Sequence, residues 1–183
     1  MHPNTALHLL LSLPALASAS ALLAPRATTC GETSARVCFG KDGGVAQDVA
    51  ADDVQYAADY LRYLGDSNTG LDKMWRMPAA VGDCAEWEIP IDYPGSVLVL
   101  AKHIVPRYAT SVLFEDIAKA IDGGVDASDG DKAKSLLGAC GTGGGMVGVA
   151  PDDGNAEYKS TAFVNSKAKN TGLLIKVVRN PNA

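Results

Sequence analysis

The side chains able to do covalent or proton-transfer chemistry are few. Two of the three histidines, His2 and His8, sit in the first ten residues, which leaves His103 as the base for any serine, threonine or cysteine nucleophile. No Gly-x-Ser-x-Gly elbow supplies a serine beside it, and His103 ends an apolar run among Lys102, Ile104 and Val105, a setting that suits a structural or surface imidazole. Carboxylate pairs are plentiful: Asp52 with Asp53, Glu86 with Glu88, Glu115 with Asp116, and Asp152 with Asp153. Glycosidase chemistry needs two carboxyls about 5 to 10 Å apart. Helix-terminal charge already explains Asp52 and Asp53, and the solvent face of a strand explains Glu86 and Glu88. We assign no catalytic residue, and a small hydrolase using carboxylates or His103 stands as the alternative.

Two further patterns fall short of a ligand site. Cys140-Gly141-Thr142-Gly143-Gly144-Gly145 has the glycines of a phosphate loop, but it follows a helix, precedes a strand and carries no lysine at the required place. It reads as a tight connection. Asp126, Asp129 and Asp131 do not match a calcium loop and fit helix capping instead. No metal or cofactor is expected. The remaining constellation is aromatic: Tyr56, Tyr60 and Tyr63 fall along one side of a helix beside its apolar stripe, and Trp75 follows next to Met74 and Met77. Such side chains give large contact area at low entropy cost, so these four are the candidate partner-binding residues.

The elements that carry these residues follow from periodicity. Residues 35–39 read as a short strand closed by a Lys-Asp-Gly-Gly turn. Val54, Ala57, Ala58, Leu61 and Leu64 predict a helix over 52–64 with Gly65 at its end. Residues 66–81 read as an irregular connection. Trp87, Ile89 and Ile91 alternate with Glu86 and Glu88 in an edge strand containing Pro90, and Tyr93-Pro94-Gly95 turns it into the central strand 97–101. Helices are predicted over 111–122 and 129–137, the second opened by a Ser128–Asp131 capping box, and strands over 146–149 and 173–178. This order predicts an α+β fold: a split β-α-β, ferredoxin-like antiparallel sheet with two main helices on one face.

Met1–Ala19 reads as a secretory signal, with a short apolar core and an Ala-x-Ala pattern at Ala17 and Ala19. Its apolar run is shorter than the ~20 residues a membrane span needs, so no stable anchor is expected. Residues 20–29 read as a leader or disordered tail and 30–183 as one domain, together about 160 residues after the signal. The formal net charge of −5 removes any general attraction to nucleic acid or anionic membrane. Locally, Lys159, Lys167, Lys169, Lys176 and Arg179 make the C-terminal stretch basic, which reads as a solvated face. Four cysteines, Cys30, Cys38, Cys84 and Cys140, imply two disulfides in an extracellular setting, and the sequence does not choose their pairing. Bridges from Cys30 and Cys38 to distant partners are favoured, because closing a long loop contributes on the order of 4 kcal/mol.

The signal peptide, the Ala24-Pro25-Arg26 leader, the four cysteines and a split α/β domain of this size resemble the layout of small secreted fungal effectors. The nearest layouts are the necrosis-inducing-factor type and the α/β killer-toxin type of smut fungi. The resemblance implies disulfide roles for the cysteines, with Cys84 before the Trp87 strand the most suggestive, and implies no catalytic residues. The expectation is a secreted, extracellular, monomeric, non-enzymatic effector that recognises a host or competitor protein or cell-surface component. A membrane-active killer-type toxin is the least favoured alternative, since a long basic amphipathic helix is absent.

Overall fold

The computed structural model describes residues 29–183, so the predicted signal and most of the leader lie outside the described residues. The strands are β1 (Val37–Cys38), β2 (Met74–Met77), β3 (Trp87–Glu88), β4 (Val97–His103), β5 (Thr110–Leu113), β6 (Gly145–Gly148) and β7 (Leu173–Arg179). The helices are α1 (Ala51–Ser67), α2 (Phe114–Asp122), α3 (Asp129–Lys132), α4 (Leu136–Cys140) and α5 (Thr161–Ser166). Short 3-10 turns occupy Gly70–Lys73, Gly141–Gly143 and Ala156–Lys159.

Five strands form an antiparallel sheet in the order β1-β6-β7-β4-β3. Its spine is β4 on β7, in register from Val97↔Arg179 to His103↔Leu173. Alternation along β4 turns Val97, Val99 and Ala101 inward, where Ile175 and Val177 of β7 join them. Helices α1 and α2 pack on one another over this face, and Val54, Ala57, Ala58, Leu61, Ile117 and Ile121 close the core.

The α+β class and the antiparallel sheet agree with the sequence reading, but the strand order is not that of a ferredoxin-like sheet. One split β-α-β unit is present: β4 reaches β6 through α2–α4, with β7 inserted between them. The first half differs, because β1-α1-β3 places its strands at opposite edges with three strands between.

A second, two-stranded sheet pairs β2 with β5, from Met74↔Leu113 to Met77↔Thr110. It replaces both the irregular connection and the first turn of the predicted 111–122 helix. Thr110 and Val112 are β-branched and each finds a cross-strand partner in Met77 and Trp75, so this segment pairs before α2 begins at Phe114. The predicted 129–137 helix is two short ones. Ser128 caps α3 by accepting from the Asp131 N–H, and Ser135 caps α4 by accepting from the Gly138 N–H. The edge strand is shorter than expected, with Trp87 and Glu88 alone on the ladder.

The disulfides are Cys30–Cys84 and Cys38–Cys140, so both early cysteines reach distant partners. Cys38–Cys140 lies in the core. Cys30–Cys84 ties an N-terminal arm across the outer face of the sheet, where the Cys30 N–H donates to Ile104 O and the Gly148 N–H donates to Ser34 O. Beneath that arm Leu174 is fully buried, and Glu32 bridges Lys102 at 2.5 Å and Lys176 at 2.6 Å.

Candidate functional site

Helix α1 separates its side chains cleanly. Val54, Ala57, Ala58, Leu61 and Gly65 face the core, while Asp52, Tyr56, Asp59, Tyr63 and Asp66 are exposed. Apart from the terminal Ala51 and Ser67, these are the exposed positions of α1, and they repeat at alternating steps of four and three, so they form a single stripe in which aspartate and tyrosine alternate. Half-buried Tyr60 stands beside them and links the row. Tyr56 and Tyr60 have ring centroids 6.1 Å apart, and Tyr60 and Tyr63 5.8 Å. Tyr56 is 40% and Tyr63 59% exposed.

The row is tethered. The Tyr56 hydroxyl donates to Asp92 O at 2.9 Å and the Tyr60 hydroxyl donates to Asp92 Oδ2 at 2.7 Å. The hydrogen bond to the Asp92 carboxylate raises the Tyr60 pKa, so the phenol holds its proton more firmly. The loop that supplies Asp92 is itself pinned. Asp53 accepts from the Ser96 N–H at 2.7 Å and from the Ser96 hydroxyl at 2.6 Å, and those bonds hold its carboxyl below the ordinary range. Ser96 Oγ accepts from the Ala50 N–H, and Asn180 Nδ2 donates to Gly95 O. Gly95 has φ +57°, and a β-carbon there would meet the Asp53 carboxylate at 2.5 Å, so the turn requires glycine. The outcome is Tyr93, at φ 55° and 91% exposed, held out from a fixed loop that the tyrosine row grips.

Every charged residue of the stripe is an aspartate. Arg62 is the sole cation of α1, and it turns inward to Asp122 with two contacts of 2.7 Å, and to Glu115 at 3.2 Å. Burial alone would raise the Asp122 carboxyl, but hydrogen bonds from Arg62, Gln55 and the Gly124 N–H outweigh it and hold the pKa below the usual range. Asp59 shares an edge of this network at 3.2 Å from Arg62. Among the described residues no cation pairs with Asp52 or Asp66.

Trp75 does not join the row. It lies on β2 opposite Val112, half-buried against the core, and its indole N–H is enclosed without an acceptor. His103 is 3% exposed, with Nε2 3.1 Å from Pro78 O and Nδ1 3.2 Å from Thr110 Oγ1. The tautomer that donates from Nε2 to Pro78 O and accepts at Nδ1 from the Thr110 hydroxyl satisfies both contacts. The paired carboxylates are distributed among separate tasks: Glu86 pairs with Lys176, Glu115 with Arg62, and Asp153 accepts from Asn170 Nδ2. Asp116 is buried in the wall of a 550 Å³ cleft, where desolvation raises its carboxyl pKa, while the Tyr158 hydroxyl donates to it at 2.6 Å.

The glycine-rich segment packs as a tight turn. The carbonyls of Thr142, Gly143 and Gly144 accept from the N–H groups of Val49, Gln47 and Phe39. Among the described residues no group of three His, Cys, Asp or Glu side chains is placed to hold a metal ion. Of the C-terminal cations, Lys176 is taken up by Glu32 and Glu86, and Arg179 reaches Asp48 at 3.6 Å. Among the described residues no helix is long and apolar enough to cross a membrane.

Three residues of the candidate set, Tyr56, Tyr60 and Tyr63, are therefore brought together. The sequence reading missed Tyr93 and Asp92, because Tyr93-Pro94-Gly95 was legible as a turn but not as a display loop. It also missed the aspartates between the tyrosines, although their step of three and four was open to inspection. Comparison with family models, characterised proteins and solved structures finds no match to this chain.

Proposed function

We propose that this chain is a secreted recognition protein of the effector type, and that it engages a host or competitor component through the solvent face of α1 together with Tyr93. The observation that carries the reading is the ordered exposure of aromatic side chains. Tyr56 and Tyr60, held by hydroxyl bonds to Asp92, lose little freedom on binding, Tyr63 packs against the Tyr60 ring, and tyrosine supplies both apolar area and a polar edge. Two disulfides fit an oxidising compartment. The predicted signal and leader, and the resemblance to small fungal effectors, point the same way.

The test is infiltration of leaf tissue, and exposure of competitor cells, with purified protein. The arms are the oxidised wild type, a reduced and alkylated sample, and a Tyr56→Ala/Tyr63→Ala/Tyr93→Ala variant. The expected result is cell death or immune signalling from the oxidised wild type alone, with the variant retaining the wild-type melting temperature. Full response from the triple variant, or silence of the oxidised protein in both settings, contradicts the reading.

A small secreted hydrolase is the second reading, and one observation favours it. Asp116 combines a raised pKa with a place in the wall of a 550 Å³ cleft. Turnover of a polysaccharide panel that disappears in Asp116→Asn, with melting unchanged, would establish it.

A further inference from the structure

The tyrosine face also carries information about the chemistry of what it meets. Resting on the recognition reading above, we infer that the α1 stripe docks a cationic helical segment of a partner protein, with Arg or Lys side chains repeating once per heptad.

Three observations converge on that occupant. Charge comes first: Asp52, Asp59 and Asp66 are exposed along the stripe, no cation pairs with Asp52 or Asp66 among the described residues, and the helix's own Arg62 is turned into Asp122 and touches only the middle carboxylate of the stripe, Asp59, at 3.2 Å. A partner bringing carboxylates would meet repulsion at every second position, whereas one bringing cations is attracted throughout. The aromatic rings come next. Tyr56 and Tyr63 lie between successive aspartates, so a cation reaching one aspartate also passes an exposed ring, where ion pairing and cation–π attraction act together. Spacing is the third. Asp52, Asp59 and Asp66 are one heptad apart, about 10 Å along the axis at 1.5 Å per residue, and the stripe spans about 21 Å. A second helix laid alongside repeats its own side chains at the same interval, so cations one heptad apart keep register over the whole length. Tyr93 stands beside the stripe on a pinned loop and offers an aromatic wall to the same partner.

The experiment uses the whole disulfide-bonded protein and a dye-labelled, alanine-based helical peptide bearing three arginines one heptad apart. A second peptide of the same composition carries its arginines one turn apart, and a third replaces them with glutamate. Fluorescence anisotropy is read at low ionic strength and again at about 0.5 M salt, where the Debye length shrinks to a few ångströms. The heptad peptide is expected to bind at least several-fold tighter than the clustered one, to weaken with salt, and to leave the glutamate peptide unbound. Tyr56→Leu/Tyr63→Leu should lower affinity about five- to thirtyfold, while Tyr63→Phe keeps it, because the ring and not the hydroxyl meets the cation. Asp52→Asn/Asp66→Asn should weaken binding and flatten its salt dependence.

Equal binding of the clustered peptide, or undiminished binding by the tyrosine variant, overturns the inference, since attraction to an acidic protein would then suffice. So does preferential binding of a chitosan oligomer, or self-association of the protein that depends on Tyr56 and Tyr63. The two readings fail separately: a tyrosine variant that loses biological response while the heptad peptide shows no preference retains the recognition face and removes its cationic partner.

Discussion

Tyr93 holds a left-handed backbone conformation that its β-carbon makes unfavourable by about 1 to 2 kcal/mol. Nothing in the core compensates directly, because the ring is almost wholly in solvent. The surrounding bonds of Asp53, Ser96 and Asn180 keep the loop in place regardless. A residue chosen for folding alone would be glycine or asparagine, both of which accept this backbone at lower cost. Tyr93→Asn is accordingly expected to leave unfolding free energy within about 0.5 kcal/mol of wild type, or to raise it, while biological response falls. Urea denaturation beside a dose–response curve checks this. A loss of stability with response intact would assign Tyr93 to the fold. His103 illustrates the reverse case. Its apolar neighbours in sequence already suited a structural or surface imidazole, and the fold adds the partners, Pro78 and Thr110, that enclose it.

Helix α1 works on two sides at once, and only one side was fully legible. The buried stripe of Val54, Ala57, Ala58 and Leu61 emerges from periodicity alone, and the observed helix extends the predicted one by a residue at the start and three at the end. The clamp to α2 was hidden, because Arg62 and Asp122 are sixty residues apart and become partners only when the helices pack. Both side chains are largely enclosed, so removing one leaves an uncompensated charge. Asp122→Ala should cost about 3 kcal/mol by urea denaturation, well beyond the effect of an exposed aspartate such as Asp66→Ala. A change below about 1 kcal/mol would mean that water reaches the pair. The β2–β5 sheet escaped for the same reason: Met74–Met77 has weak strand character locally, and its pairing is decided by Thr110–Leu113 well downstream.

At the scale of the molecule, two bridges and an arm wrap a sheet whose order follows from long-range pairing. The chain-entropy model gives contributions of about 4 kcal/mol for Cys30–Cys84 and about 5 kcal/mol for Cys38–Cys140. The sequence indicated two bridges to distant partners; their pairing depended on which strands became edges, as did the position of β1 beside β6. Glu32, Asp53 and Asp122 all have carboxyl pKa values below their ordinary range. For Glu32, burial alone would raise the value, but hydrogen bonds and charge from Lys102 and Lys176 outweigh it. Their stabilisation is fully present above the ordinary carboxyl pKa of about 4 and is lost as pH falls through the lowered folded values. Asp116 and Glu115, raised by burial, act in the opposite sense and lose stability as pH rises through their window. The urea midpoint should therefore fall on acidification below about pH 4, and Glu32→Gln should make that acid limb shallower. An unchanged limb would mean that the arm's ion pairs do not contribute.

The central claim is that Tyr56, Tyr63 and Tyr93 belong to one docking face. Site-specific photocrosslinking tests it most directly, with a benzoylphenylalanine placed singly at positions 56, 63 and 93, and at the exposed positions 108 and 164 for comparison. Illumination on responsive tissue should yield the same covalent adduct from the first three positions and none from the other two. Adducts of equal yield at 108 or 164, or different partners at 56, 63 and 93, would contradict a single recognition face on α1.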